Sequence, residues 1–394
     1  MSDSFKAVLV TGARQVGKTT MLRNLAEGHD RSYVTLDDLG ARKMARTDPV
    51  LFFQVHKPPV LIDEVQYAPE LFTQIKIICD SRDGNGLFWL AGSQHYSMME
   101  RVGESLVGRV ILLKLHGLSW TETAGVVFEN ELDFSFPCLQ ARQKQVPNND
   151  MVEVFGHIWR GGMPLALQVG TEQKLEYFES YVSSLLLRDA MEFGRVTDSQ
   201  RFVDFLVACA ALVAQQVNYK TLAEAADVPQ SLAKDWLGVL EGLGIIYLMR
   251  PYRNNALKRL AKAPKLYFCD TGLASFLSKW LTPETLMLGA ASGHFFENHV
   301  VLEMLKGYSV SPEKVNLTYF RDSDSNEIDI FVEKNNFIHP LEIKKSANPD
   351  TRATRKFSVL GKTTVRTGAG GIICLCEKPE PIDSLNCLIP SNLI

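Results

Sequence analysis

The residues best suited to chemistry form one short run near the amino terminus. Gly12, Gly17, Lys18 and Thr19 fit the pattern G-x-x-x-x-G-K-[ST], with an apolar strand-like run before them and a helix-like run after them. In that setting the glycines let backbone N–H groups surround a phosphate, and the helix N-terminus adds partial positive charge. The pattern therefore predicts binding of a nucleoside triphosphate, and a chance glycine-rich turn is the alternative.

The positions of this phosphate loop, residues 12–19, have distinct expected roles. We expect Lys18 to reach the β- and γ-phosphates of ATP and the Thr19 hydroxyl to ligate Mg²⁺. Arg14 is expected to help hold phosphate. The full set of expected nucleotide-binding residues is Gly12, Ala13, Arg14, Gln15, Val16, Gly17, Lys18, Thr19 and Thr20.

An acidic pair follows a second apolar run. Asp63 and Glu64 match the Walker B pattern of ATPases that carry an additional catalytic glutamate. Asp63 is expected to hold Mg²⁺, directly or through water, and Glu64 to orient and polarise the attacking water. A solvated pair at the start of a loop is the alternative. An Asp-Glu pair downstream of a complete phosphate loop nevertheless favours ATP hydrolysis.

Further positions are candidates for sensing or stabilising the γ-phosphate. Ser93, with Gln94 as its alternate, ends the fourth predicted strand. In ATPases of this type that strand lies between the phosphate-loop strand and the Walker B strand. Arg109, just before the fifth strand, is a candidate arginine finger acting in cis or from a neighbouring subunit. Arg101 is a second candidate, and a surface salt bridge is the alternative for Arg109.

The composition is that of an ordinary globular protein. Of 394 residues, 46% are hydrophobic and 22% are charged, and the net charge of −3 argues against a global attraction to nucleic acid or membrane. Seven cysteines without metal-ligand spacing predict reduced thiols. No targeting segment is visible, and the longest apolar run, 205–214, is too short to span a bilayer. These features predict a cytoplasmic protein with no membrane partner.

Alternating strand-like and helix-like runs over residues 1–125 predict a parallel α/β sheet. Residues 126–200 indicate a helical lid or linker. Within it, the polar stretch 129–150 is interpreted as a loop, and 177–192 as an amphipathic helix.

Residues 201–285 contain helix, turn, helix and two strands, which is the order of a winged helix. Between residues 242 and 269 the basic side chains outnumber the acidic ones by six to none. Such a stripe favours contact with the phosphate backbone of double-stranded DNA, whereas a protein-interaction module is the alternative. The basic residues are Arg250, Arg253, Lys258, Arg259, Lys262 and Lys265.

The final region, 286–394, carries a second acidic set. Asp329 and Glu342-Ile343-Lys344 have the Asp…Glu-x-Lys arrangement of restriction-endonuclease-like folds, and Glu297 approaches from a predicted helix. The period of two places Glu342 and Lys344 on one face of a strand, with Asp329 on its neighbour. The carboxylates are expected to hold Mg²⁺ on a scissile phosphate, assisted by Lys344. A solvated strand, or a domain that binds without cutting, is the alternative.

With these motifs together, the chain resembles a widespread prokaryotic family of AAA-superfamily ATPases, mostly of unknown biological role. The resemblance rests on the phosphate loop and Leu61-Ile62-Asp63-Glu64-Val65-Gln66, and also on the stretches 91–94, 106–109, 265–273 and 296–298 and the Asp329…Lys344 set. It implies an α/β fold with an AAA/ASCE-type P-loop ATPase domain (1–125), a helical lid or linker (126–200), a winged helix (201–285) and a restriction-endonuclease-like α/β domain (286–394). It also implies a prokaryotic cytoplasm.

Two functions remain open at this point. In the first, a Mg²⁺-dependent ATPase couples hydrolysis to a DNA-associated carboxyl-terminal region, with nuclease activity undecided. In the second, the chain is a slow ATP-dependent switch whose carboxyl-terminal half binds a protein or nucleic acid without cleaving it. ATPases of this superfamily often form homo-oligomers in which an arginine of one subunit completes the site of another.

Overall fold

The structure, a computed structural model, describes most of the chain, with the gaps that separate these ranges: 2–92, 106, 108–128, 130–148, 150–192, 194, 196–252, 263–309, 311, 313, 315–322, 326–362 and 365–394. It divides into two compact units. The first contains Met1–Gly117 and Gly238–Ile245, and the second contains Leu118–Leu237 and Ile246–Ile394.

The first unit is built on a five-stranded parallel sheet. Its strands are β1 (Ala7–Thr11), β2 (Ser32–Thr35), β3 (Val60–Asp63), β4 (Phe88–Gly92) and β5 (Val110–Lys114), in the order β2-β3-β4-β1-β5. The five predicted strands are confirmed, as is the position of β4 between the phosphate-loop strand and the Walker B strand. Because the strands are parallel, the carboxyl ends of β1 and β3 lie at the same end of the sheet, on either side of β4.

Helices cover both faces of this sheet. They are α1 (Lys18–Ala26), α2 (Leu39–Thr47), α3 (Pro49–Val55) and α4 (Leu71–Ser81). Leu9 and Ile62 belong to the core cluster that contains Phe52 of α3, whereas Val8 packs on the other side with Leu22 of α1. This double coverage explains why the strands are continuously apolar rather than alternating.

The second unit begins with helices, most of which lie in the region 126–200 that was predicted to be helical. They are α5 (Trp120–Thr123), α6 (Phe136–Gln143), α7 (Met151–Arg160), α8 (Pro164–Gln168), α9 (Thr171–Ser180), α10 (Leu187–Glu192) and α11 (Ser199–Ala211), and a π-helical segment, Tyr181–Leu186, joins α9 to α10. Ser119 and Glu122 form a capping box at the start of α5.

The prediction of a loop over 129–150 was wrong, because α6 lies within it. The Ser135 side chain caps this helix by accepting from Cys138 N, and Pro137 occupies the first turn. Proline fixes a helical φ and needs no N–H partner at that position, so it starts the helix rather than breaking it.

A small antiparallel sheet follows two more helices. The elements are β6 (Gln215–Gln216), α12 (Tyr219–Ala225), α13 (Gln230–Gly242), β7 (Ile246–Met249) and β8 (Lys265–Phe268), and the sheet order is β6-β8-β7. Helix α13 crosses the boundary between the two units. Of the predicted basic stripe, Arg253, Lys258, Arg259 and Lys262 lie outside the described residues.

The carboxyl-terminal region is a mixed sheet preceded by helices. The helices are α14 (Thr271–Leu277), α15 (Pro283–Leu288) and α16 (Ser292–Ser309). The strands are β9 (Asn316–Arg321), β10 (Glu327–Lys334), β11 (Phe337–Ile343), β12 (Arg366–Thr367), β13 (Gly370–Cys374), β14 (Glu380–Pro381) and β15 (Asn386–Pro390). Strands β9, β10 and β11 are antiparallel neighbours, and β13 runs parallel to β11.

Two 3₁₀ segments, Thr351–Lys362 and Ser391–Leu393, complete this region. Phe357 and Leu360 of the first pack with Phe331 of β10 in one hydrophobic cluster. Within the described ranges, no helix combines the length and the apolar character needed to cross a bilayer.

Candidate functional site

The phosphate loop connects the carboxyl end of β1 to the amino end of α1. Gly17 is the N-cap of α1 with a φ of 95°, and Gly12 has a φ of 155°. A Cβ on Gly12 would lie 2.2 Å from the backbone oxygen of Leu115. Gly12 is therefore required both by its backbone conformation and by the close approach of the segment after β5.

Lys18 points back into the loop. Its ammonium donates to the carbonyl oxygens of Gly12 (3.0 Å) and Ala13 (2.7 Å), and the residue is only 6% exposed. A buried ammonium at the opening of a helix N-terminus is a suitable partner for a phosphate oxygen.

Thr19 and Asp63 meet at the carboxyl edge of the sheet. The Thr19 hydroxyl donates to Asp63 Oδ2 at 2.8 Å, and the Tyr33 hydroxyl lies 3.4 Å from the same oxygen. The other oxygen of Asp63 accepts from Glu64 N at 3.0 Å. A hydroxyl and a carboxylate side by side, next to a phosphate loop, form the oxygen donor set that Mg²⁺ prefers. These residues therefore fit a magnesium ion.

Glu64 has a backbone conformation that is unusual for its residue type. Its φ of 54° lies in the left-handed region, immediately after β3. Its carboxylate accepts a hydrogen bond from the side-chain amide of Gln66. Strained backbone of this kind is concentrated at functional sites, where it directs a side chain. The sequence pattern indicates no separate role for Gln66, which lies two residues after Glu64.

The remaining loop residues are held by their neighbours. Ala13 and Val16 are each 7% exposed, and Gln15 has a φ of 62°. Arg14 lies 3.5 Å from the Tyr67 hydroxyl through Nη2, so its guanidinium lies beside the segment that follows Glu64.

Residues far along the chain also approach the loop. A Cβ on Gly244 would lie 3.5 Å from Ala13 N, and 238–245 belongs to the first unit. No local motif in the sequence of this segment signals the contact.

Several predicted sensor residues are not described. Ser93, Gln94 and Arg101 lie outside the described residues, and β4 ends at Gly92, which pairs with Thr11 at the end of β1. The roles proposed for these three side chains stay predictions.

Arg109 lies at the amino-terminal ends of the strands, opposite the end of the sheet that carries the phosphate loop. It precedes β5, whose first residue Val110 pairs with Ala7 at the start of β1, and its guanidinium pairs with Asp80 at 2.5 and 3.0 Å. The length of β1 therefore separates it from the phosphate loop, roughly 15 Å at about 3.3 Å per residue. This topology places Arg109 away from the phosphate loop of its own chain, and its pair with Asp80 is the surface salt bridge named above as the alternative. The role of an arginine finger stays a prediction.

The carboxyl-terminal acidic set comes together in the second unit. Lys344 Nζ lies 2.9 Å from Glu342 Oε2 and 3.6 Å from Asp329 Oδ2. Asp329 Oδ2 also accepts from Ile343 N at 2.8 Å. Burial and the neighbouring Asp329 charge raise the pKa of Glu342. The predicted proximity of Asp329, Glu342 and Lys344 is thus present, because β10 and β11 pair antiparallel.

Glu297 is joined to this set by a lysine that the sequence did not single out as a site residue. Lys265 Nζ lies 3.0 Å from Glu297 Oε1, 2.7 Å from Glu327 Oε1 and 3.8 Å from Asp329 Oδ1. Burial lowers the pKa of Lys265, but the three carboxylates raise it more, so that its pKa is raised overall. Burial has the opposite effect on the carboxyl of Glu297: its pKa is raised to about 7, although the nearby Lys265 ammonium lowers it.

The divalent metal implied for this acidic set does not fit the residues present. Ammonium groups face Asp329 from both sides: Lys265 near Oδ1 and Lys344 near Oδ2. Affinity for a divalent cation rises with the negative charge of its ligand set, and the two ammonium groups offset that charge at Asp329. We therefore derive no metal-dependent step at this set.

Three family models match consecutive parts of the chain. Residues 4–124 match the model described as AAA domain. Residues 152–284 match a Domain of unknown function (DUF8612), and residues 292–394 match a Domain of unknown function (DUF4143).

Two uncharacterised proteins are similar to nearly the whole chain. One is from Mycobacterium bovis and one from Mycobacterium tuberculosis, each 25% identical over 390 residues, covering 98% of this chain and 80% of the relative. Neither name states an activity.

Among solved structures, a Walker-type ATPase of Pyrococcus abyssi is 16% identical, covering 69% of this chain and 91% of its own, with a TM-score of 0.42. The RuvB Holliday junction branch migration motor of Thermotoga maritima is 14% identical, covering 62% and 82%, with a TM-score of 0.29. At such TM-scores neither likeness establishes fold or function. The AAA match, the parallel sheet and the phosphate loop together identify residues 4–124 as an AAA-type P-loop ATPase domain.

Proposed function

We propose that this protein is a Mg²⁺-dependent ATPase. The observation that carries the proposal is the convergence of Lys18, Thr19, Asp63 and Glu64 at one edge of the sheet, with Thr19 and Asp63 joined at 2.8 Å. Bound Mg²⁺ would draw charge from the β- and γ-phosphate oxygens, and Thr19 and Asp63 are the residues that would hold it.

The chain's own groups account for the remaining chemistry. Lys18 and the backbone N–H groups of the phosphate loop bind and orient the phosphates. Glu64 orients the attacking water and polarises it for attack on the γ-phosphate. The Gln66 amide, which donates to Glu64, holds that carboxylate in position. Ser93 remains the proposed sensor of the γ-phosphate.

Steady-state ATP turnover of the wild type and of Glu64→Gln, with and without double-stranded DNA, tests this proposal. We expect the variant to bind ATP but to lose at least about 100-fold in kcat, because the water is no longer polarised. Glu70→Gln is the matched control, since Glu70 is an acidic residue of the same unit that forms a long ion pair, 3.8 Å, with Arg46. A wild type without turnover in either condition would contradict the ATPase and leave the slow switch.

We further propose that the carboxyl-terminal half associates with double-stranded DNA. Two arrangements support this role: α11 to α13 with the β6-β8-β7 sheet, in the order of a winged helix, and α16 with β9, β10, β11 and β13, in the order of a restriction-endonuclease-like core. The 3₁₀ segment Thr351–Lys362 also exposes Arg352 and Arg355, whose guanidinium groups are suited to contact phosphates.

DNA binding measured against salt tests this second role. A charge-reversal variant, Arg355→Glu, is expected to weaken DNA binding equally for all DNA sequences. It should also reduce the slope of log K against log salt concentration by about one. Lys378→Glu provides the control, because Lys378 is an exposed lysine of the same unit outside the 3₁₀ segment Thr351–Lys362 that carries Arg355. Affinity that does not vary with salt for any of these proteins would argue for a protein partner instead.

A further inference from the structure

Lys265 is buried at the centre of the carboxyl-terminal acidic set. The residue is 3% exposed, and its ammonium lies within 4 Å of carboxylate oxygens from Glu297 on α16 and from Glu327 and Asp329 on β10. A buried charge of this kind is stable only when it is paired. The ammonium therefore occupies the space between these carboxylates.

The strand that carries Lys265 is fixed against α16. The Asn298 side chain accepts from Phe268 N at 2.7 Å and donates to Phe268 O at 3.0 Å. The Tyr267 hydroxyl donates to Glu297 Oε1 at 2.7 Å, beside the lysine. These contacts fix β8 against α16, so the fold determines where the Lys265 ammonium lies.

The acidic set is also balanced in charge. The four carboxylates of Glu297, Glu327, Asp329 and Glu342 face the ammonium groups of Lys265, Lys344 and Lys356, and Arg321 lies 3.4 Å from Glu327. A divalent cation entering this set would add two positive charges to a group that is already neutralised. Affinity for such ions rises with the charge of the ligand set, which the lysines here cancel.

We propose that the Lys265 ammonium is the resident cation of this acidic set and excludes a divalent metal ion, so that the restriction-endonuclease-like region binds DNA without cutting it. This inference rests on the proposed association with DNA and specifies what the region does there. Removing the ammonium, without adding a charge, converts the set into a metal site.

Manganese binding to the full-length protein without nucleotide, followed by electron paramagnetic resonance, tests the proposal. Asp329→Asn is expected to bind Mn²⁺ as the wild type does. Lys265→Met is expected to gain Mn²⁺ binding at least about tenfold tighter, and this gain should disappear in Lys265→Met with Asp329→Asn. Lys334→Met is the control, because Lys334 also lies between two carboxylates, those of Glu131 and Glu313, outside the acidic set.

Either of two results would overturn the proposal. One is a wild-type Mn²⁺ site that Asp329→Asn removes, and the other is a folded Lys265→Met that gains none. If Lys265→Met does not fold, the comparison of wild type with Asp329→Asn decides. Plasmid nicking with Mg²⁺ or Mn²⁺ that vanishes in Asp329→Ala and Lys344→Ala would likewise overturn it. Absence of DNA binding would contradict the proposed association and leave the Mn²⁺ outcome informative by itself.

Discussion

At the scale of single residues, the candidate ATPase site combines an unusual backbone conformation, a buried ammonium group and a close approach of two backbone segments. Glu64 keeps a left-handed backbone, Lys18 folds onto two carbonyl oxygens, and Gly12 leaves no room for a side chain beside Leu115. The sequence predicts roles for these residues, because each belongs to a motif whose spacing has a chemical reason. The hydrogen bond from Gln66 to Glu64 was not predicted, since it requires knowledge of how the chain turns after β3.

Gly12→Ala is expected to impair both folding and nucleotide binding. The new Cβ would meet Leu115 O at 2.2 Å, and such overpacking costs about 1–3 kcal/mol of unfolding free energy. Displacing the loop should also abolish binding of a fluorescent ATP analogue. Urea unfolding and analogue titration measure the two effects.

Gly28→Ala is the matched control for that change. Gly28 also has a positive φ, of 81°, but a Cβ there meets nothing within 4 Å. Gly28→Ala is expected to lower the unfolding free energy by about 1 kcal/mol, because an alanine is strained in the left-handed backbone conformation. Binding of the ATP analogue is expected to be retained. Equal losses at Gly12 and Gly28 would show that the close approach to Leu115 does not matter.

At the scale of elements, buried polar contacts fix the helices of the second unit. Asp270, the N-cap of α14, accepts from Leu273 N at 2.8 Å, Gly162 N at 2.7 Å and Met163 N at 3.1 Å, and it is 5% exposed. One carboxylate thus joins α14 to the turn between α7 and α8. The resemblance in sequence included this residue without giving it a role.

Asp270→Ala is expected to lower the unfolding free energy by about 3 kcal/mol or more, because three backbone N–H groups lose a buried acceptor. Asp150→Ala is the control: Asp150 caps α7 through one exposed bond to Glu153 N, and its loss costs about 1 kcal/mol. Chemical denaturation of both variants measures the difference. Equal losses would mean that Asp270 acts only as a helix cap.

At the scale of the whole molecule, the position of Arg109 bears on assembly. It lies at the amino edge of the parallel sheet, away from the phosphate loop of its own chain. If it stabilises the transferred phosphoryl group, it does so in a neighbouring subunit, and hydrolysis then depends on assembly.

Mixing two inactive variants tests this dependence. Arg109→Ala and Glu64→Gln are each expected to be inactive alone, and a mixture should regain turnover at sites that combine an intact Glu64 with a neighbour's intact Arg109. A mixture of Lys18→Ala with Glu64→Gln should not recover, because both changes damage the site within the same chain. No recovery, with a rate per molecule independent of protein concentration, would exclude Arg109 as a finger.

A buried polar cluster in the second unit makes stability depend on pH. Glu303 pairs with Lys306 at 2.8 Å and accepts from Trp120 N at 2.7 Å, next to His157 and His299. Burial lowers the pKa of His157 to about 3 and that of His299 to about 4. Burial alone would raise the pKa of Glu303, but Lys306 and the two histidines lower it to about 2.

The unfolded histidines, with a pKa of about 6.5, take up protons before the folded ones do. Stability is therefore expected to fall as the pH drops from 6.5 to about 4, by about 2 kcal/mol per histidine at pH 5. His157→Phe removes one titrating group and should lose correspondingly less stability between pH 7 and pH 5. Urea unfolding followed by tryptophan fluorescence measures this; the same pH slope for both proteins would contradict the assignment.

The sequence by itself determined the phosphate loop, the Asp63-Glu64 pair and the five parallel strands of the first unit. These follow from residue type and spacing over short stretches, where local geometry decides the outcome. It also indicated that Asp329, Glu342 and Lys344 lie together, since adjacent strands and a period of two are local properties.

Only the tertiary structure decided that Arg109 lies at the far edge of the sheet and that Lys265 pairs with Glu297, Glu327 and Asp329. Lys265 is separated along the chain from each of these carboxylates, and no spacing rule links them. The pairing of distant segments is a property of topology and packing, which buries charges and decides which partner each one has.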